Sequence, residues 1–154
     1  MRVGIATDHG GFWLKEGLLK QLIAARHDVV DFGARVLDPG DDYPDFVTPL
    51  AQAVAAGTVQ RGVAVCGSGV GACVAANKFK GIRAATCHDP FSARQSVEDD
   101  DVNVLCLGAR VIGSELAMDL IRQYMGAKFS GLERHRRRLN KIAGFEQEFG
   151  RENA

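Results

Sequence analysis

The stretch Arg61-Gly-Val-Ala-Val-Cys66-Gly-Ser-Gly-Val-Gly71 decides the reading of this chain. Residues 61–66 are a short apolar run bounded by a turn signal, as in a strand buried on both faces. Glycines at 67, 69 and 71 let the backbone turn tightly and expose several N–H groups. A small-residue helix is predicted from there to about Lys78. Outward from this unit the same alternation recurs. Residues 2–7, 28–32, 84–87 and 102–107 read as further short strands. Helical spacing of apolar residues marks 11–25, with Leu18, Leu19, Leu22 and Ile23, and a second helix around Phe46, Leu50 and Val54 in which Pro49 is awkward. Residues 90–97 read as a short helix, Leu116, Leu120 and Tyr124 mark another ended by Gly126, and Leu139, Ile142, Phe145 and Phe149 line one face of a last helix that must pack on something. Strand–helix alternation without repeats or linkers predicts one α/β domain over residues 1–154, with a helical tail at about 133–150 and a parallel sheet covered on both faces.

Bulk properties narrow the function classes. Of 154 residues, 46% are apolar and 25% charged, and 19 basic side chains balance 19 acidic ones. That is the profile of a globular domain, with no net field to favour nucleic acid or membrane. Acidic residues gather at Asp38, Asp41, Asp42 and Asp45 and at residues 98–101, and basic ones at Arg134, Arg136, Arg137, Arg138 and Lys141. Arg136 and Arg137 read as a solvated helix face, whereas Arg134 and Arg138 lie four apart on one face and could share an anion. No run approaches the ~18 apolar residues of a membrane span. Met1 leads into a strand-like run without the regions of a signal peptide, and the four cysteines form no metal-type or disulfide framework. A cytoplasmic protein is expected.

Ligands of parallel α/β sheets bind beyond the carboxyl ends of the strands. Asp8-His9, residues 66–71, His88-Asp89 and residues 108–110 fall there. The glycine turn can be an anion cradle or only a tight turn. It is not a Walker loop, since no Gly-Lys-Ser/Thr ends it. Cys66 faces the turn's N–H groups, an environment that favours a thiolate. It can be a base, a nucleophile, or a small buried hydrophobe. Cys73, Cys87 and Cys106 read as the last kind.

Asp8-His9-Gly-Gly, Asp42-Tyr43-Pro44, Cys66-Gly-Ser-Gly-Val-Gly71, Ala75-Ala-Asn-Lys78, Gly81-Ile-Arg-Ala84, Asn103-Val-Leu105, Gly108-Ala-Arg-Val-Ile-Gly113 and Arg134-His135 with Arg138 occur in this order. With them the chain resembles the type B ribose-5-phosphate isomerases and the related galactose-6-phosphate isomerases over nearly its whole length. The resemblance implies a three-layer α/β/α sandwich with a five-stranded parallel sheet of order 2-1-3-5-4. It implies a homodimer, often paired into a tetramer, with sites completed by the partner subunit, and a mechanism without metal or organic cofactor. On this pattern Cys66 is the proton-shuttling base, Ser68 with the amides of Gly69, Val70 and Gly71 forms the anion hole, and Gly67 is a further substrate-binding residue. Asp8 binds sugar hydroxyls, Tyr43 walls the site, and His9, Arg110, Arg134 and Arg138 grip the phosphate.

The chain departs from the pattern before its fifth strand. Ribose-phosphate enzymes typically carry His-Asn there, and the histidine is thought to open the sugar ring. This chain has Asp99 and Asp100. An acidic run is usually a solvated loop or helix end, which is the reading for Glu98 and Asp101; Asp99 is kept as a candidate catalytic group and Asp100 as a candidate substrate-binding one. His88 is a candidate substitute by location, against the plainer reading of a hydrogen-bonding loop histidine. The expected function is therefore isomerisation of ribose 5-phosphate to ribulose 5-phosphate through a cis-enediolate. A tetrose or hexose phosphate is the alternative within the same chemistry. Other classes are a Cys66 thiol-nucleophile hydrolase or acyltransferase, which needs a base such as His9 beside the thiol, and a non-catalytic sugar-phosphate binding module.

Overall fold

Side chains alternate between the two faces of a strand, and in this chain the two faces differ in bulk. The computed structural model describes residues 1–149. Its strands are β1 (Arg2–Thr7), β2 (Asp28–Asp31), β3 (Arg61–Cys66), β4 (Ala84–Thr86) and β5 (Val104–Gly108), and its helices are α1 (Phe12–Ala24), α2 (Tyr43–Ala55), α3 (Val70–Ala76), α4 (Pro90–Asp100), α5 (Ser114–Gly126) and α6 (Glu133–Phe149). All four strand pairings are parallel and the order is β2-β1-β3-β5-β4. The α/β sandwich and its strand order are thus as the resemblance implied.

One face carries Val3, Ile5, Val63, Val65, Leu105 and Leu107 and is covered by α1, α4 and α5 through Leu18, Leu22, Val97, Leu120 and Tyr124. The other carries Ala6, Ala64, Cys66 and Cys106 and is covered by α2 and α3. Its strands are lean, so α2 seats deeply: a Cβ added at Gly62 would lie 3.1 Å from Leu50. Cys66 belongs to this lean face, at the end of the central strand. On the first face, Lys15 is buried yet satisfied, 3.1 Å from Asp31 and bonded to the carbonyl of Ala34. That pairing fixes the start of the loop between β2 and α2.

Several boundaries differ from the sequence reading, each for a local reason. α3 stops at Ala76, where Asn77 caps it and turns its side chain to the backbone of Ala84. α4 runs on through Asp99 and Asp100 and ends where Asp101 adopts φ 47°. The acidic run is therefore the last turn of a helix. Val102 is spent on the carbonyl of Ser96, so β5 starts at Val104. Pro49 sits inside α2, which starts at Tyr43 with Pro44 in its first turn.

The tail helix does not bury its apolar face. α6 is held by the buried His135 and by Glu146, whose carboxylate accepts from the Gly81 N–H at 3.1 Å. Ile142 and Phe145 stay exposed. The end expected for the tail, residue 150, lies outside the described residues, as do the last four residues of the domain. Among the described residues no helix is long and apolar enough to cross a membrane.

Candidate active site

The strand order makes a crevice. The chain leaves β1 for β2 on one side, then returns to β3 on the other, so the loops after β1 and β3 diverge at the carboxyl edge. A cavity of about 360 Å³ opens there. Asp8, His9 and Gly10 line it from the loop after β1, Tyr43 from the start of α2, Cys66, Gly67, Ser68 and Gly71 from the glycine turn, and Arg110 and Val111 from the loop after β5.

Backbone sterics hold this turn in place. Gly69 has φ +80°, and a Cβ there would lie 2.9 Å from the carbonyl carbon of Leu107. A Cβ at Gly71 would lie 2.8 Å from the Tyr43 ring. The loop after β5 is laced to the turn by Ala109 N–H to Cys66 O (2.9 Å) and Arg110 N–H to Gly67 O (3.0 Å). Arg110 is thereby carried to the same mouth as Cys66.

Cys66 is 5% exposed, and its sulfur accepts from the Gly69 N–H at 3.1 Å. Such a bond is stronger to a thiolate than to a thiol. The Ser68 hydroxyl accepts from the Val70 N–H at 3.3 Å. Two of the amides expected to form the anion hole thus have partners inside the turn, one of them the sulfur itself. Asp8 is buried, and its Oδ1 accepts from the Gly11 N–H at 3.1 Å. His9 donates to Asp41: ring Nδ1 lies 2.6 Å and backbone N 3.1 Å from Asp41 Oδ1. This hydrogen bond is the leading cause that raises the His9 pKa above its ordinary value. Asp8, His9 and Asp41 each bring one polar side-chain atom within 4.8 Å of the others, a cluster joined by the His9–Asp41 hydrogen bond.

Asp99, Asp100, Arg134 and Arg138 are not among the residues lining the cavity. Asp99 accepts from Gln95 at 3.0 Å and lies 3.5 Å from His135 Nδ1. His135 also meets the Ser130 hydroxyl at 2.7 Å and accepts from Arg134 Nε at 3.0 Å. The backbone carbonyl of Asp100 accepts from Arg83. His88 takes the plainer of its two readings, since its Nε2 accepts from the Gly108 N–H at 2.9 Å. Cys87 and Cys106 are buried as expected, while Cys73 is only half-buried and donates to the Ala84 carbonyl. Asp41 was legible only as part of an acidic loop, because its partner lies 32 residues away. Gly10 and Val111 carry no signal of their own in the sequence.

A thiol among turn amides, in a cavity shared with His9 and Arg110, suits proton transfer beside a carbonyl, and the class that this fold and site define is the aldose–ketose isomerase. The chain belongs to the Ribose/Galactose Isomerase family, whose sequence model matches residues 3–142. It is similar to ribose-5-phosphate isomerase B of Escherichia coli strain K12, with 40% identity over 95% of this chain and 97% of the relative. D-erythrulose-4-phosphate isomerase 2 of Mycolicibacterium smegmatis is 38% identical over 95% of this chain and 97% of its own. The solved structure of Clostridium thermocellum ribose-5-phosphate isomerase B superposes with a TM-score of 0.93 at 42% identity, covering 97% of this chain and 99% of that one.

Replacing Gly69 by alanine tests the close approach. A non-glycine residue at that φ, pressed on Leu107, costs roughly 1–3 kcal/mol. The expected outcome is a lowered thermal midpoint together with a turnover loss larger than the fraction unfolded explains. Unchanged turnover would mean that the turn tolerates displacement.

Proposed function

We propose that this isomerase interconverts ribose 5-phosphate and ribulose 5-phosphate through a cis-enediolate, with Cys66 as the base. The observation that carries the reading is the Gly69 N–H aimed at the Cys66 sulfur on the wall of a cavity shared with His9 and Arg110. In the aldose-to-ketose direction the thiolate removes the proton from carbon 2 and the negative charge develops on the carbonyl oxygen at carbon 1. The thiol then returns the proton to carbon 1 while the hydroxyl proton passes from oxygen 2 to oxygen 1, so that carbon 2 becomes the carbonyl and the thiolate is regenerated. A positioned base contributes typically ~10²–10⁴-fold. Ser68 and the turn amides stabilise the developing oxyanion, often the larger effect. Asp8 takes sugar hydroxyls and Tyr43 closes one side. His9 and Arg110 hold the phosphate, the arginine by its planar fork. A thiol-nucleophile hydrolase fits less well, because it needs a base hydrogen-bonded to the thiol, and the partner of the sulfur is the Gly69 amide.

The same reading brings in a second copy of the chain. Arg134 and Arg138, and Asp99 with Asp100, reach substrate only if another subunit carries them to this cavity. Val70 and Val74 beside the glycine turn, Phe91, and Ile142 and Phe145 on α6 are exposed apolar residues that a twofold partner would cover. We infer a homodimer, able to pair further into a tetramer, working in the cytoplasm, where free thiols stay reduced.

A second reading of the substrate has an observation of its own. Asp99 stands where ribose-phosphate enzymes typically carry a histidine. A histidine near neutral pH gives and takes a proton within one cycle, whereas an ionised carboxylate has none to return to a ring oxygen. A tetrose 4-phosphate cannot close a five-membered ring and needs no opening, and the Mycolicibacterium relative is a D-erythrulose-4-phosphate isomerase.

Three measurements test these statements. Cys66→Ala should abolish deuterium wash-in from solvent at carbon 2, a loss of at least ~10², while phosphate still binds; near-normal turnover would make Cys66 structural and send the search to another base. Across a panel of four-, five- and six-carbon sugar phosphates, Asp99→His should raise catalytic efficiency on ribose 5-phosphate relative to a tetrose 4-phosphate. A ratio that stays put, or moves toward the tetrose, removes Asp99 from control of ring opening. Mixing the separately impaired Cys66→Ala and Arg138→Ala chains should restore part of the lost activity through heterodimers. Absence of any restoration would place Arg138 in its own chain's site or outside every site.

A further inference from the structure

Asp41 lies in the loop between β2 and α2 and does not itself line the cavity. Its Oδ1 takes both polar hydrogens that His9 can offer on that side, the backbone N–H at 3.1 Å and the ring Nδ1–H at 2.6 Å. The Asp41 side chain is 11% exposed, and its Oδ2 is buried with no hydrogen-bond partner among the described residues. A buried carboxylate so sparsely satisfied is costly unless its one partner carries positive charge. The arrangement therefore disfavours loss of the proton from the imidazolium. With Nδ1 committed, Nε2 is the ring nitrogen left for a ligand in the cavity that His9 lines.

We propose that Asp41 is a positioning residue that fixes the His9 ring and holds its positive charge at the mouth of the cavity. The inference deepens the reading of His9 as part of the phosphate grip and rests on it for its consequence. The charged groups around His9 come from three loops. Asp41 from the loop before α2 and Asp8 from its own turn hold the proton on, while Arg110 from the loop after β5 and partial burial work against them; the balance raises the pKa, with the Asp41 hydrogen bond the largest cause. A phosphate monoester gains its second charge near pH ~6. A histidine at its ordinary pKa of about 6.5 would lose its own charge almost as soon as the ligand reached full charge. A raised His9 pKa widens the interval in which imidazolium and dianion coexist, and widens it on the alkaline side.

The test uses the full chain and Asp41→Asn, which keeps the shape and an acceptor but removes the charge. His9 is followed by NMR titration of the imidazole resonances without ligand, assigned by the signal that His9→Gln removes. Inorganic phosphate is then titrated as a competitive inhibitor across the same pH range. In the wild type His9 should titrate above the ordinary value. In Asp41→Asn its midpoint should fall, and on the alkaline side phosphate inhibition should weaken by up to ~10-fold for each pH unit of that fall, with no change on the acidic side. Asp41→Glu should recover part of the alkaline limb. A wild-type His9 that titrates at or below its ordinary value, an unchanged titration in Asp41→Asn, or phosphate weakened equally at every pH would overturn the proposal. A lowered midpoint with unchanged phosphate inhibition would uphold the hold of Asp41 on His9 and remove His9 from the phosphate grip.

Discussion

Backbone meeting backbone at the end of the central strands is the constraint on which the site depends. The turn after β3 and the loop after β5 lie so close that a methyl group at Gly69 would press on Leu107 and one at Gly108 would lie 2.6 Å from the Ser68 carbonyl. Contact at this range leaves no freedom to slide. The position of the Cys66 sulfur, the Gly69 N–H that it accepts from and the Arg110 side chain are set together, by one interlock of glycines and two backbone hydrogen bonds. Preorganised donors of this kind need no reorganisation when charge develops.

The unequal faces of the sheet serve that interlock. Bulky strand residues meet α1, α4 and α5 and supply most of the large buried side chains. On the lean face Gly4, Ala6, Gly62 and Ala64 let α2 lie close, and Leu50 fills the space. Tyr43, the first residue of that helix, is thereby brought against Gly71. Helix depth on one face thus determines how the cavity is walled.

Legibility in the sequence followed the range of the interactions. Cys66 and its glycines were readable because strand, turn and helix are neighbours in sequence, and alternation of apolar runs was enough for a parallel α/β sheet. Strand order came through the resemblance, since no local pattern distinguishes β5 from β4 as the neighbour of β3. The acidic run at residues 98–101 could be read as loop or helix end because its charges carry no helical stripe, and the end of α4 is decided by Asp101 in a left-handed conformation. Asp41 was invisible as a site residue, because only the folded chain brings it to His9. The apolar face of α6 was readable from its spacing, but not whether it packs on the body of its own chain or on a partner; Ile142 and Phe145 are exposed in the single chain.

The depth of Cys66 also bears on chemical damage. A sulfur that is 5% exposed meets solvent through the cavity it lines, so an oxidant or an electrophile must travel the same route as a ligand. Thiolates are the form that peroxides and alkylating agents attack. Occupancy of the cavity shields the sulfur, and the protein is most vulnerable when it stands idle.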